Sequence, residues 1–338
     1  MAKNIFWNHE EDRLRALWRQ IIQLLLLSIL VVALVYILPY GLFILLLVLN
    51  IVLHLLFHIS GSALFRLFAL PQASLVSASA VILSVWMSTR VFNREPLSLF
   101  GFCFSKAWWT DFFVGCVLGV VLNASVFLVE WRFGWISIKH LFLNNVAEFP
   151  FAVVLSIGFV NFLLVALFEE TVARGYPLRN FAQGLSGTPL GPRKAILLCW
   201  LLTSFVFGFG HYSNPHATLL ELLSISTAGL LMGLGYILTG NLGLSLGLHA
   251  AWDFAQGNIF GFSVAGQSLS GSASFFSLHQ GGPELWTGGV IGPDGGLLSI
   301  CAFLLGVIAL ICYVRWQYGK VVLHTSLAHF HRREARKT

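Results

Sequence analysis

Eight long apolar runs divide this chain of 338 residues and constrain its fold more than any other feature. Most runs are close to the ~20 residues that a membrane-spanning helix needs. Only 10% of the residues are charged, whereas a soluble domain has about 25%. We therefore predict an all-α, polytopic transmembrane helix bundle with about eight or nine membrane helices. The runs lie at about 21–58, 71–91, 112–131, 150–173, 194–211, 217–239, 242–257 and 295–316.

Two of these runs have unusual lengths. The first is nearly twice too long and contains Pro39-Tyr40-Gly41, a turn signal. It is either a tight hairpin of two short helices or one long kinked helix. The seventh is short and rich in glycine, so we expect it to enter the membrane only partly. The Gly- and Ser-rich segment 258–293 is too polar to span and is predicted to be a long non-cytoplasmic loop.

Positive charge is concentrated in three connections, at residues 90–106, 174–194 and 315–337. The positive-inside rule places all three on the cytoplasmic side, including a basic tail at 317–338. A hairpin in the first run would put the N-terminus outside, and a single helix would put it inside. The net charge of +6 is better explained by these loop positions than by a nucleic-acid-binding surface, and no soluble basic domain is visible, so no nucleic-acid partner is predicted.

Adjacent carboxylates at Glu169 and Glu170 end an apolar run, where charge is costly and usually functional. Arg174 follows Glu170 by four residues, a spacing that favours an ion pair on one helix face. Glu169 is rotated by about 100° and is free to face another helix. Such a carboxylate suits general acid–base work. The alternative is that these charges mark a solvated helix end.

Two later runs each carry a histidine. His211 ends the sequence Phe-Gly-Phe-Gly-His, and His249 lies four residues before Asp253. A lone histidine at a helix end is more often an interface or core residue. The His249 and Asp253 pair is a better signal, because the carboxylate can accept the ring N–H and fix the tautomer.

These elements permit two chemistries. Glu169 could activate a water while His211 and the His249–Asp253 pair stabilise an oxyanion. Alternatively, Glu169, His211 and His249 could hold Zn²⁺. The helix-borne His-Glu-x-x-His signature is absent, so we predict no cofactor and keep zinc as the alternative. Glu169 and His211 would lie ~22 and ~25 Å from the cytoplasmic side at 1.5 Å per residue.

In this order, the segments Glu169–Arg174, Phe207–His211 and His249–Asp253 resemble the three motifs of the CAAX-protease and bacteriocin-processing (Abi) family of intramembrane endopeptidases. The resemblance covers roughly residues 95–316, including an approach segment from Glu95 and a Gly-Gly-Pro loop at 281–293. Residues 1–94 resemble no family and are predicted to be additional N-terminal membrane helices.

The resemblance implies a water-activating role for Glu169, with Glu170 and Arg174 completing the first motif. His211 and His249 would be catalytic, and Asp253 would hold the last motif position. The related prenyl proteases carry Asn there, so the oxyanion role of this position stays open. The implied activity is an endopeptidase acting on a membrane-bound peptide, in the cytoplasmic membrane of a bacterium. Prenylated tails, bacteriocin leaders and signalling-peptide precursors are all open as substrates.

The rival interpretation is a non-proteolytic scaffold or transporter with a polar midplane site. Another polar stripe, Asn50, His54 and His58, follows one face of the first run. Histidines spaced four apart can bind zinc or haem. Because no third ligand lies nearby, we favour interhelical hydrogen bonding, and we interpret Asn123 and Glu130 in the same way.

Overall fold

The computed structural model describes residues 5–57, 61–267 and 272–331. Seven helical segments in these ranges are long and apolar enough to cross a membrane. The protein is therefore an integral membrane protein, and the predicted all-α bundle is confirmed. Its helices are α1 (Ala16–Phe57), α2 (Gly61–Ser88), α3 (Lys106–Arg132), α4 (Phe151–Glu170), α5 (Pro177–Ser186), α6 (Gly191–Phe209), α7 (Leu219–Thr239), α8 (Gly243–Phe254), α9 (Glu284–Thr287) and α10 (Leu297–Tyr318).

The first apolar run forms one helix, α1, of 42 residues. The hairpin alternative is therefore wrong. The polar stripe predicted at Asn50, His54 and His58 lies outside the described side chains.

The helix that carries the paired glutamates continues well beyond them. A π-helical turn, Thr171–Gly175, joins α4 directly to α5, and the whole segment spans residues 151–186. The backbone N–H of Tyr176 donates to the carbonyl of Thr171 at 3.1 Å, the hydrogen bond expected of a π turn. The extra residue in this turn lets the helix continue past the buried residues Glu170 and Arg174. It also changes which face of the helix packs against its neighbours.

Helix α8 lies at the centre of the bundle and packs so closely against α3 that the two backbones are in contact. A methyl group at Gly115 would overlap the carbonyl of Leu244, and one at Gly247 would overlap the carbonyl of Phe112. Small residues permit such approach between helices. Residues 243–252 are all buried. The short seventh run is therefore enclosed by protein, and π-helical residues Ala255–Ile259 extend it.

Four strands accompany the helices in the described part of the chain. β1 (Trp7–Asn8) pairs with β2 (Arg13–Leu14), and β3 (Ile136–Asn144) pairs antiparallel with β4 (Ala273–Gln280). The sequence predicted only a loop at 258–293. Half of a two-stranded ribbon lies there instead.

The three basic connections meet at one end of the bundle. Arg179 of α5 donates to Glu95 at 2.8 Å and to the carbonyls of Ser326 and His329 at 3.1 and 3.2 Å. The Arg13 guanidinium lies 3.8 Å from the centre of the Phe330 ring. We call these side chains, with the backbone of 326–331, the terminal cluster. Both described ends of the chain lie at this end of the bundle.

Candidate active site

A cavity of about 350 Å³ opens between α2, α4, α6, α7 and α8. Side chains from all three predicted motifs line it, together with apolar side chains and a few amides. The titratable residues of its lining are Glu169, His211, His249, Asp253 and Asp294.

The two carboxylates of the first motif have different partners and different exposure, as predicted. Glu170 and Arg174 are fully buried and form an ion pair. The Arg174 guanidinium also lies 4.1 Å from the centre of the Phe207 ring. Glu169 instead faces the cavity, where 24% of its side chain is exposed. One glutamate is therefore fixed by an internal cation and the other is available to a ligand.

Glu169 is the point where the three motifs meet. Its Oε2 lies 3.8 Å from Nε2 of His211 and 3.6 Å from Nε2 of His249. Both distances exceed an ordinary hydrogen bond. A small group held between these atoms would contact all three side chains.

His249 is held at both ring nitrogens. Nδ1 lies 2.9 Å from Oε1 of Glu170, and Nε2 lies 3.5 Å from Oδ2 of Asp253. The sequence predicted that Asp253 orients this ring, but Glu170 makes the shorter contact. A neutral imidazole has one N–H. With a carboxylate at each nitrogen, either the ring is an imidazolium or a neighbouring carboxyl carries the second proton.

His211 is oriented by its own helix. Nδ1 lies 2.8 Å from the carbonyl oxygen of Phe207. A carbonyl only accepts, so Nδ1 must carry a hydrogen. Nε2, which faces Glu169, then accepts in the neutral ring and donates only in the imidazolium.

Asp294 is a cavity residue that the motif analysis did not identify. It follows the 281–293 loop, and its carboxylate accepts from Trp252 Nε1 at 3.1 Å, Gln256 Nε2 at 2.7 Å and the Ala265 backbone N–H at 3.1 Å. Burial, with a contribution from nearby Asp253, raises the pKa of Asp294 to about 6. Its contacts join the end of α8 to the loop that covers the cavity.

No group of three or more His, Cys, Asp or Glu side chains within residues 5–57, 61–267 and 272–331 has the arrangement of a metal site. The predicted zinc ligands Glu169, His211 and His249 nevertheless lie close together. Metal analysis of the purified protein is the way to decide between the two chemistries.

Residues 151–255 match the family model described as type II CAAX prenyl endopeptidase Rce1-like. This segment contains all three motifs, so the resemblance drawn from them is confirmed. No curated protein and no solved structure matches the chain. The matched family consists of intramembrane proteases, which implies a hydrolase whose substrate lies in or at the bilayer.

Proposed function

We propose that this protein, a member of the CAAX-protease family over residues 151–255, hydrolyses a peptide bond of a membrane-associated peptide with a water molecule activated by Glu169. The observation that carries the proposal is the position of Glu169 Oε2. It lies within 4 Å of both histidine Nε2 atoms and at the wall of a cavity lined by both apolar and polar side chains.

Glu169 acts first as a general base and then as a general acid. It accepts a proton from water as the water oxygen attacks the carbonyl carbon of the scissile bond. When the C–N bond breaks, the carboxyl returns that proton to the departing amine. Base and acid are the same group, so one proton completes the cycle and no other proton carrier is needed.

The histidines stabilise the negative charge that develops on the carbonyl oxygen. His249 presents Nε2 to the cavity because Glu170 holds Nδ1. Each ring can donate from Nε2 only as an imidazolium, because Nδ1–H of His211 is engaged with Phe207 and Nδ1–H of His249 with Glu170. Donors aimed at a developing oxyanion are among the largest contributions to catalysis. Arg174 acts indirectly, by fixing Glu170 and through it the His249 ring.

A cleavage assay in lipid nanodiscs tests this function. Quenched fluorescent peptides with an apolar centre would be incubated with wild type, Glu169→Gln and a control variant, Glu284→Gln. Glu284 is exposed and does not line the cavity. Loss of the general base should reduce kcat by about 10²- to 10⁴-fold, and the control should retain full activity. Near-normal turnover by Glu169→Gln would exclude the proposed mechanism.

The rival function, a scaffold or transporter, predicts a different result in the same assay. Wild type would bind the peptides without cutting them, and Glu169→Gln would behave identically. The proximity of Glu169, His211 and His249 supports the hydrolase, since a binding protein does not require that three-way arrangement.

A further inference from the structure

The wall of the cavity beside Glu169 contains a carboxamide that the proposed reaction does not use. Asn161, Val165 and Glu169 are spaced four residues apart on α4, and all three line the cavity. This spacing places them in one stripe along the helix. At 1.5 Å per residue, Asn161 and Glu169 are about 12 Å apart along the helix axis. A ligand held at Glu169 can therefore extend along α4 to Asn161.

The Asn161 side chain is oriented by the neighbouring helix α2. The Ser74 hydroxyl donates a hydrogen bond of 2.7 Å to Oδ1 of Asn161. Because a carboxamide has its oxygen and its nitrogen at opposite ends, this bond fixes the amide and leaves both N–H groups on the other side. Within the described part of the chain, no atom accepts a hydrogen bond from Nδ2 of Asn161. Its two donors are therefore available to a ligand in the cavity.

The surroundings of this amide indicate which ligand atom would bind it. Phe162 and Val165, the neighbouring cavity residues on α4, have apolar side chains that offer no acceptor. A donor without a partner in apolar surroundings is unfavourable, because it has lost its hydrogen bonds to water. A peptide supplies the missing acceptor, since each of its residues has a carbonyl oxygen. An extended peptide advances about 3.3 Å per residue, so about 12 Å corresponds to three or four residues.

We infer that Asn161 binds a backbone carbonyl oxygen of the substrate three or four residues from the scissile bond, and that Ser74 positions the amide for this contact. The inference rests on the proposed function and adds two residues that bind and align its substrate. It also gives α2 a part in the site, although α2 lies outside the matched residues 151–255. The substrate is accordingly an extended peptide that continues for at least three residues from the cut along α4.

Two variants in the nanodisc cleavage assay test these roles. Asn161→Leu removes the donor at similar side-chain volume. We expect its KM to rise about 3- to 10-fold, the effect of one hydrogen bond, with kcat changed by less than about twofold. Ser74→Ala should cause a smaller rise in KM, because the amide remains but is no longer oriented. Ser84→Ala is the matched control on α2. It loses the hydrogen bond that Ser84 accepts from Gln23 at 3.1 Å but does not line the cavity, so its KM should equal that of wild type.

A thioamide scan identifies the substrate atom. One apolar peptide would be made in versions that each carry a single thioamide, a weaker acceptor than an amide, at each backbone position in turn. In wild type, the thioamide three or four residues from the mapped cut should raise KM. In Asn161→Leu the same thioamide should have no further effect. Such non-additivity reports a direct contact, whereas a purely structural bond between α2 and α4 would leave the two effects additive.

Binding separates this inference from the proposed function. Fluorescence anisotropy with the uncleaving Glu169→Gln variant, with and without Asn161→Leu, repeats the thioamide comparison in the absence of turnover. Cleavage with additive effects at every position would overturn the inference and leave the function standing. Non-additive binding without any cleavage by wild type would do the reverse. Should Asn161→Leu fail to fold, Ser74→Ala decides in its place, and a wild-type KM in that variant would overturn the inference.

Discussion

At the residue scale, His249 determines what the neighbouring acids can do. Three carboxylates surround its ring, but only Glu170 is neutralised by an arginine. Glu170 is therefore a fixed acceptor for Nδ1, and Glu169 and Asp253 are the two carboxyl groups that face Nε2. This asymmetry separates a positioning glutamate from a reacting one, although the two are adjacent in sequence.

Replacement of the two glutamates should separate stability from activity. Glu170→Gln should lower Tm, because it leaves the Arg174 guanidinium buried without its carboxylate and away from solvent. Removing one partner of a buried ion pair typically lowers the free energy of unfolding by about 3–5 kcal/mol. Glu169→Gln should keep the wild-type Tm, because Arg174 pairs with Glu170 and not with Glu169. Thermal unfolding in detergent, followed with the cleavage assay, measures both. A stable but inactive Glu170→Gln beside an active Glu169→Gln would reverse the two roles.

Metal content decides between the two chemistries that the site permits. We expect activity without stoichiometric metal, and a loss of about 10²- to 10³-fold in rate on removing either histidine as an oxyanion donor. Elemental analysis of wild type, His211→Ala and His249→Ala checks this expectation. One zinc per chain in wild type and none in the variants would establish the zinc alternative.

Asp294 should give the protein a specific pH dependence of stability. Its pKa is raised from 3.8 to about 6, so the folded state binds its proton more tightly than the unfolded state. The resulting stabilisation is complete below about pH 4 and is lost as the pH rises through 6. The Tm of wild type minus the Tm of Asp294→Asn should therefore fall between pH 4.5 and pH 7.5, because only wild type acquires a buried charge. A rise in the Tm of wild type relative to that of Asp294→Asn over this range would contradict the assignment.

At the element scale, the site depends on a helix that only protein surrounds. Helix α8 supplies His249 and Asp253, and α3 approaches it closely at Gly247. We expect Gly247→Ala to destabilise the fold by about 1–3 kcal/mol, the cost of overpacking. Gly187→Ala is the matched control, because a methyl group there meets nothing within 4 Å. Comparison of the two Tm values tests the packing, and equal values would show that α3 can move away.

Much of this arrangement could be predicted because its determinants are local. Length and apolarity specify the spanning helices, and a spacing of four residues specifies the pair between Glu170 and Arg174. The ribbon of β3 and β4 could not be predicted, since its two strands are far apart in sequence and each is short. The π turn at Thr171–Gly175 was also missed, because packing around one additional residue, rather than composition, favours it. Asp294 could not be predicted as a cavity residue, because it belongs to none of the three motifs.

At the scale of the whole molecule, the basic end should face the cytoplasm. The connections at 90–106 and 174–194 and the tail from 315 share that end, and positive charge is retained inside. In a background without the native cysteines, Gly187→Cys and Gly319→Cys should both react only from the cytoplasmic side of sealed vesicles. Both glycines have open space around them. Labelling of either position only from outside would invert the orientation.

The terminal cluster has a consequence for how the protein is made. Arg13 leaves the ribosome long before its aromatic partner, Phe330. Glu95 and Arg179 emerge between them and bind the late backbone at His329 and His331. The helix with the two glutamates therefore reaches the membrane long before the contacts that close its basic end can form. These contacts can form only after residues 329–331 have been synthesised, so they cannot assist the membrane insertion of the helices that precede them.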